Sequence, residues 1–130
     1  MKRLLGPFSE PLFALLRVAT AFLFVCHGVQ KFGYLGGLGG FVPPPMSLLW
    51  WAGYIETIGG PLAAIGLGTR YVAFLLAGEM LVAYFNTHAF RNPWPILNGG
   101  EITVFYFFFW LYLAARGPGR WSVDGLLGID

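Results

Sequence analysis

Four long apolar segments, separated by glycine- and proline-rich sequence, dominate the chain. They cover about residues 11–32, 47–67, 70–87 and 99–115. A helix needs about 20 residues to cross the hydrocarbon core of a bilayer, with a range of about 17–25. The pattern therefore predicts an all-α protein, a four-helix transmembrane bundle formed by a single domain over residues 1–130.

The composition supports a lipid environment. Hydrophobic residues make up 57% of the chain and charged residues only 11%, against about 25% charged in ordinary soluble domains. A net charge of +2 is too small to indicate a nucleic-acid partner, and no metal site is predicted. The lone cysteine, Cys26, excludes an internal disulfide or a two-thiol relay within one chain.

The basic residues outside the apolar segments predict an orientation. They are more numerous on the side of the bundle that carries both termini, where they are Lys2, Arg3, Arg70, Arg116 and Arg120. Basic residues accumulate in cytoplasmic segments of membrane proteins. We therefore expect a multi-pass protein of the cytoplasmic (inner) membrane, with both termini in the cytoplasm and the two longer loops outside.

One face of the first helix is polar. At about 100° per residue, Arg17, Thr20, His27, Gly28 and Lys31 fall within an arc of about 100°. Ionisable residues within membrane helices normally face the bundle interior and pair with one another. The pattern thus predicts that this face points inward.

Carboxylates on the other three helices are the expected partners. Glu56, Glu79 and Glu101 join Arg17, His27 and Lys31 in a predicted buried polar cluster that is a candidate ligand-binding site. Other interpretations stay open. Lys31 and Glu56 can serve only to specify helix packing, and Arg17 can extend to headgroups. Glu101 can complement a helix dipole, and Glu79 can remain protonated without a partner.

Aromatic residues and histidines bear on the choice of ligand. The run FYFFFW, residues 105–110, is more typical of lipid-facing or packing surface, yet rings beside polar groups can also stack a quinone. His27 and His88 are a formal pair of haem ligands, but their spacing carries no specific signal, so haem is disfavoured. Small residues at 59, 60, 63 and 64 predict close helix packing.

Several short motifs in this order resemble the DoxX family of small four-helix membrane proteins. They span residues 17–124 and comprise Arg17 with HGVQK (27–31), the Glu56 helix with GG and then GLGTR (66–70), the Met80 region, GGE (99–101) and GPGRWSVD (117–124). The positions matching the family pattern are Arg17, His27, Lys31, Glu56, Glu101 and Asp124. The resemblance implies no catalytic role for them.

The resemblance implies an association with redox work. Related domains occur in an archaeal thiosulfate:quinone oxidoreductase, and family members are linked to oxidative-stress and thiol-handling assemblies. We therefore expect a membrane subunit of an oxidoreductase system that binds a quinone in the outer half of the bundle, with a redox protein or a second copy of the chain as partner. The alternative is a non-catalytic membrane scaffold or chaperone-like protein. A transporter ranks lower because no inverted repeat is visible.

Overall fold

The structure, a computed structural model, describes residues 2–129. Within them the regular elements are helical, which confirms the all-α prediction. The elements are α1 (Lys2–Leu5), a 3-10 turn (Gly6–Phe8), α2 (Ser9–Gln30), α3 (Leu48–Ile65), α4 (Thr69–Thr87), α5 (Pro95–Asn98), α6 (Glu101–Arg116) and α7 (Val123–Leu127).

The ends of the long helices have local causes. Ser47 begins α3, because its side chain accepts a hydrogen bond from the backbone N–H of Trp50. Gly66 ends α3 with a φ of 71°, a left-handed conformation that favours glycine. A side chain there would also collide with Ser122, since an added Cβ would lie 2.4 Å from that residue's Cβ. Gly66 therefore sets both the turn into α4 and the close approach of the C-terminal segment.

The four long helices pack mainly as two pairs, α2 with α3 and α4 with α6. The short turn at residues 66–68 connects the pairs. It lies with both terminal segments at one end of the molecule, because Glu10 contacts Arg116 and Asp124 contacts Gly68. We call this the termini end. The opposite end, with the loops 31–47 and 88–100, is the loop end.

Glycines allow α2 and α3 to lie very close together. An added Cβ at Gly28 of α2 would be 2.8 Å from the backbone nitrogen of Thr57. At Gly60 of α3 it would be 3.2 Å from the carbonyl oxygen of Ala21. Gly59 faces the other way, against Leu76 of α4. The small residues of α3 thus serve both neighbours, as their spacing predicts.

Replacing Gly28 by alanine is expected to push α2 away from α3. The methyl group would meet both the hydroxyl and the backbone of Thr57, and overpacking of this kind costs about 1–3 kcal/mol. The matched control is Gly78→Ala in α4, where an added Cβ meets nothing within 4 Å. Thermal unfolding in detergent should show a lower midpoint for the first variant only; equal midpoints would contradict the close approach.

The outward faces of the long helices are apolar. Large exposed side chains occur on each of them, including Phe22 on α2, Ile58 on α3, Phe74 on α4 and Phe108 on α6. Soluble monomeric proteins rarely expose an apolar surface of this extent. By length and mean hydropathy, one helical stretch within the described residues, Arg3–Gln30, suffices to cross a membrane.

Candidate ligand-binding cavity

A cavity of about 800 Å³ lies between the two helix pairs. Its walls come from all four long helices, and Leu38 of the first loop also contributes. Most of the lining is aliphatic or aromatic, with a few ionisable groups: His27, Lys31, Glu56, Glu79 and His88. A largely apolar cavity with a few convergent polar groups is the usual form of a small-molecule site. We call it the central cavity.

Lys31 and Glu56 form a buried ion pair in the wall of this cavity. Lys31 caps the end of α2, and its ammonium group donates to the Glu56 carboxylate and, over 3.3 Å, to the carbonyl oxygen of His27. An ammonium group has three donors, so one donor is left over from these two contacts. The pair therefore joins α2 to α3 and still offers a hydrogen bond to a ligand.

Glu79 supplies a second carboxyl group from α4. It lines the same cavity as Glu56, and its Oε2 atom is buried without a hydrogen-bond partner among residues 2–129. An unsatisfied buried polar atom costs free energy. A ligand with a complementary polar group would remove that cost.

His27 lies at the rim of the cavity. Its side chain is exposed, and its ring meets the buried ring of Tyr106 edge to face at a centroid distance of 5.8 Å. Tyr106 in turn packs edge to face against Phe24 at 5.0 Å. These three rings form an aromatic wall of the cavity that extends from α6 to α2. The inward face predicted for α2 is observed for Arg17, Gly28 and Lys31, which are buried, whereas His27 lies at its edge.

His88 holds the second loop together. Its Nδ1 lies 3.1 Å from the carbonyl oxygen of Asn98, so this nitrogen carries the proton. Its Nε2 lies 3.5 Å from the Thr103 hydroxyl. Asn98 also donates to the Tyr84 hydroxyl. Because both ring nitrogens are engaged in these contacts, His88 stabilises the second loop and has no nitrogen free for a metal. This further disfavours a haem held by His27 and His88.

Arg17 lies away from the cavity, at the termini end. Its guanidinium donates to the carbonyl oxygens of Ala64, Pro118 and Trp121. It therefore does not join Lys31 and Glu56 in one cluster, and it does not extend to headgroups. Backbone oxygens of two separate segments converge on it instead. We call Arg17, Asp124 and the backbone groups they bind the C-terminal clasp.

Asp124 completes this clasp. Its carboxylate accepts hydrogen bonds of 2.8 Å from the backbone N–H groups of Gly68 and Thr69 and from the Thr69 hydroxyl. Burial alone would raise the pKa of Asp124, but these hydrogen bonds and the charge of Arg17 outweigh it and lower the pKa. The ionised carboxylate fixes the C-terminal segment to the turn between α3 and α4. At this end the family-pattern residues Arg17 and Asp124 thus hold the C-terminal segment against the rest of the bundle.

Glu101 is likewise separate from the cavity. It is exposed and is the first residue of α6, where a carboxylate complements the positive end of the helix dipole. Of the six residues predicted to cluster, the structure brings His27, Lys31, Glu56 and Glu79 around the cavity and leaves Arg17 and Glu101 outside. Tyr106, also in the lining, was hidden within the aromatic run at residues 105–110, and Thr103 lies just before that run.

An apolar exterior around a charged interior cavity defines a helical membrane protein. Comparison with known families is consistent with this class: the DoxX family matches residues 12–89. The chain belongs to the DoxX family. No solved structure shows significant similarity to it.

Three relatives extend over most of the chain. An uncharacterized protein of Haemophilus influenzae is 40% identical and covers 85% of this chain and 87% of its own length. The "Putative oxidoreductase CatD" of Bacillus subtilis is 30% identical, with coverages of 85% and 82%. The "Uncharacterized membrane protein Rv3486" of Mycobacterium tuberculosis is 26% identical, with coverages of 94% and 85%.

Proposed function

We propose that this protein is a multi-pass subunit of an oxidoreductase system in the cytoplasmic membrane and that its central cavity binds a quinone. The observation that carries the proposal is the cavity itself, which combines a volume of about 800 Å³ and an aromatic wall with buried Lys31 and Glu56 and half-buried Glu79. The name of the Bacillus subtilis relative supports the redox assignment.

The proposed topology has four crossings with both termini in the cytoplasm. The apolar outer faces of α2, α3, α4 and α6 support contact with lipid on all sides. The basic residues near the termini end favour the cytoplasm for that end. The central cavity then lies toward the outer half of the membrane, because Lys31 follows the loop-end terminus of α2.

The lining residues fit the needs of a quinone. A quinone ring presents two carbonyl acceptors and two flat faces. The free donor of Lys31 can reach an acceptor, and the Glu79 carboxyl can donate when protonated. Tyr106 and Phe24 provide ring surfaces at the cavity wall. Glu56 holds the Lys31 ammonium in place. When bound, the quinone would supply the electron-carrying chemistry that these side chains lack.

Binding of a decyl-substituted benzoquinone to purified protein tests the proposal. We expect Glu79→Leu to weaken binding by about tenfold, the equivalent of about 1.4 kcal/mol, because a hydrogen bond to the ring is lost. The matched control is Glu101→Gln, which changes an exposed carboxylate outside the cavity and should bind as the unaltered protein does. Quenching of tryptophan fluorescence, with Trp51 in the lining, reports occupancy.

A scaffold remains the second candidate, and one observation favours it. The first loop exposes large apolar side chains, among them Tyr34, Leu35 and Phe41, which suit contact with another membrane protein or a second copy of the chain. Mass spectrometry of an organic extract separates the two functions. A stoichiometric quinone that is lost in His27→Ala supports the redox subunit. Absence of both co-purified and added quinone would overturn it in favour of the scaffold.

A further inference from the structure

The central cavity opens sideways, between α3 and α4. The more exposed parts of its lining concentrate on these two helices, and include Leu48 and Trp51 on α3 and Phe74, Leu75, Gly78 and Val82 on α4. The two helices are connected by the turn at residues 66–68 at the termini end, and they pack less extensively than α2 with α3 or α4 with α6. The exposed lining on α3 and α4 therefore places the opening of the cavity between these two helices, on the side that faces lipid. We call this opening the gap.

Gly78 marks the middle of this gap. It lines the cavity, and an added Cβ there would meet nothing within 4 Å. Val82 lies one turn further along the same face of α4, and Ala52 lines the gap from α3. Small apolar residues thus lie beside the larger Trp51 and Phe74 at the opening, and we expect a hydrocarbon chain to pass between the helices at Gly78.

The charged groups in the cavity lining restrict which chemical groups can form the polar end of the ligand. Two carboxyl groups, Glu56 and Glu79, accompany a single cation, Lys31. Lys31 is already paired with Glu56. A phosphate would place further negative charge beside these carboxyl groups, which costs free energy in a low-dielectric site. A neutral polar head fits better than the headgroup of an anionic phospholipid.

From these features we infer that the ligand is a neutral-headed amphiphile with a long hydrocarbon tail, whose head lies at Lys31 and Glu79 and whose tail leaves the cavity between α3 and α4 into lipid. This inference rests on the proposed quinone function and narrows it to membrane-resident, tailed quinones. The tail gains little from the protein, since lipid is as apolar as the gap. The tail affects binding only because it must leave the cavity through the gap between α3 and α4.

Blocking the gap should therefore discriminate between ligands by their tails. The probes are a ring-only dimethoxy-methyl-benzoquinone and its decyl-substituted analogue, bound to the full chain in nanodiscs of one lipid composition. In Gly78→Phe we expect the tailed probe to bind at least about tenfold more weakly, or about 1.4 kcal/mol, and the ring-only probe to bind within about twofold of the unaltered protein. Gly78→Ala is the matched control and should leave both affinities unchanged.

Partition of the tailed probe into lipid does not confound the comparison, because every variant is measured in identical nanodiscs. Ala52→Phe fills the gap from the opposite wall and should reproduce the effect if Gly78→Phe fails to fold. Equal losses for both probes, or none for either, would overturn the lateral exit while leaving quinone binding intact. Failure of both probes to bind the unaltered protein would overturn the proposed function and this inference together. Displacement of both probes by phosphatidylglycerol would assign the cavity to lipid instead.

Discussion

Lys31→Met is expected to destabilise the protein by about 3–5 kcal/mol, because it leaves Glu56 buried without its cation. Glu56→Gln should also be costly, since it strands the Lys31 ammonium between α2 and α3. The double variant should recover much of the loss, because two neutral side chains impose no uncompensated buried charge. Thermal or denaturant unfolding in detergent, arranged as a double-mutant cycle, measures the coupling between the two sites.

The matched comparison for this cycle is the ion pair between Glu10 and Arg116, whose side chains are 31% and 29% exposed. Partly solvated pairs are screened and contribute little, so the corresponding cycle should show a much smaller coupling. Similar couplings in the two cycles would mean that burial does not set the strength of the Lys31–Glu56 pair. Additive single changes at Lys31 and Glu56 would show that the two residues do not interact.

Arg17→Met is expected to release the C-terminal segment and to cost about 3 kcal/mol or more, because hydrogen bonds from a charged donor contribute about 1.5–3 kcal/mol each. The carbonyl oxygens of Pro118 and Trp121 lose their donor. Arg17→Lys should be less stable than the unaltered protein but more stable than Arg17→Met, since an ammonium keeps the charge but cannot reproduce the planar fork of the guanidinium. Limited trypsin digestion should then cut faster after Arg116 and Arg120.

Arg91→Met provides the control for this experiment. Arg91 is exposed in the second loop, so its replacement should change neither the unfolding midpoint nor the rate of cleavage near the C-terminus. If Arg17→Met leaves cleavage after Arg116 and Arg120 at its original rate, the segment is held by something other than the clasp. A general acceleration of cleavage at every site would point to global unfolding instead.

The main features of the helical arrangement follow from local pattern. The apolar segments are long, and the breaks between them contain glycine and proline, so helix positions could be predicted to within a few residues. The pairing of Lys31 with Glu56 was also within reach, because opposite charges on neighbouring helices both lie toward the loop end. The helix face on which each residue lies and the sign of its charge were together sufficient to predict this ion pair.

The division of the polar residues between two sites could not be predicted in the same way. Arg17 shares a helix face with Lys31, yet its partners are backbone oxygens, and backbone acceptors leave no signal in the sequence. Glu101 carries the correct sign for the cluster but is exposed at the start of α6. The opening between α3 and α4 depends on which helices pack together, which residue spacing within one helix does not encode.

The C-terminal clasp has a consequence for the biosynthesis of the protein. Arg17 depends on oxygens that are 101 and 104 residues further along the chain. At about 5–20 residues per second of translation, these oxygens are made about 5–20 s after Arg17. Throughout that interval α2 carries a guanidinium that lacks two of its three backbone acceptors. The position of α2 in the bundle therefore becomes final only after Pro118 and Trp121 have left the ribosome.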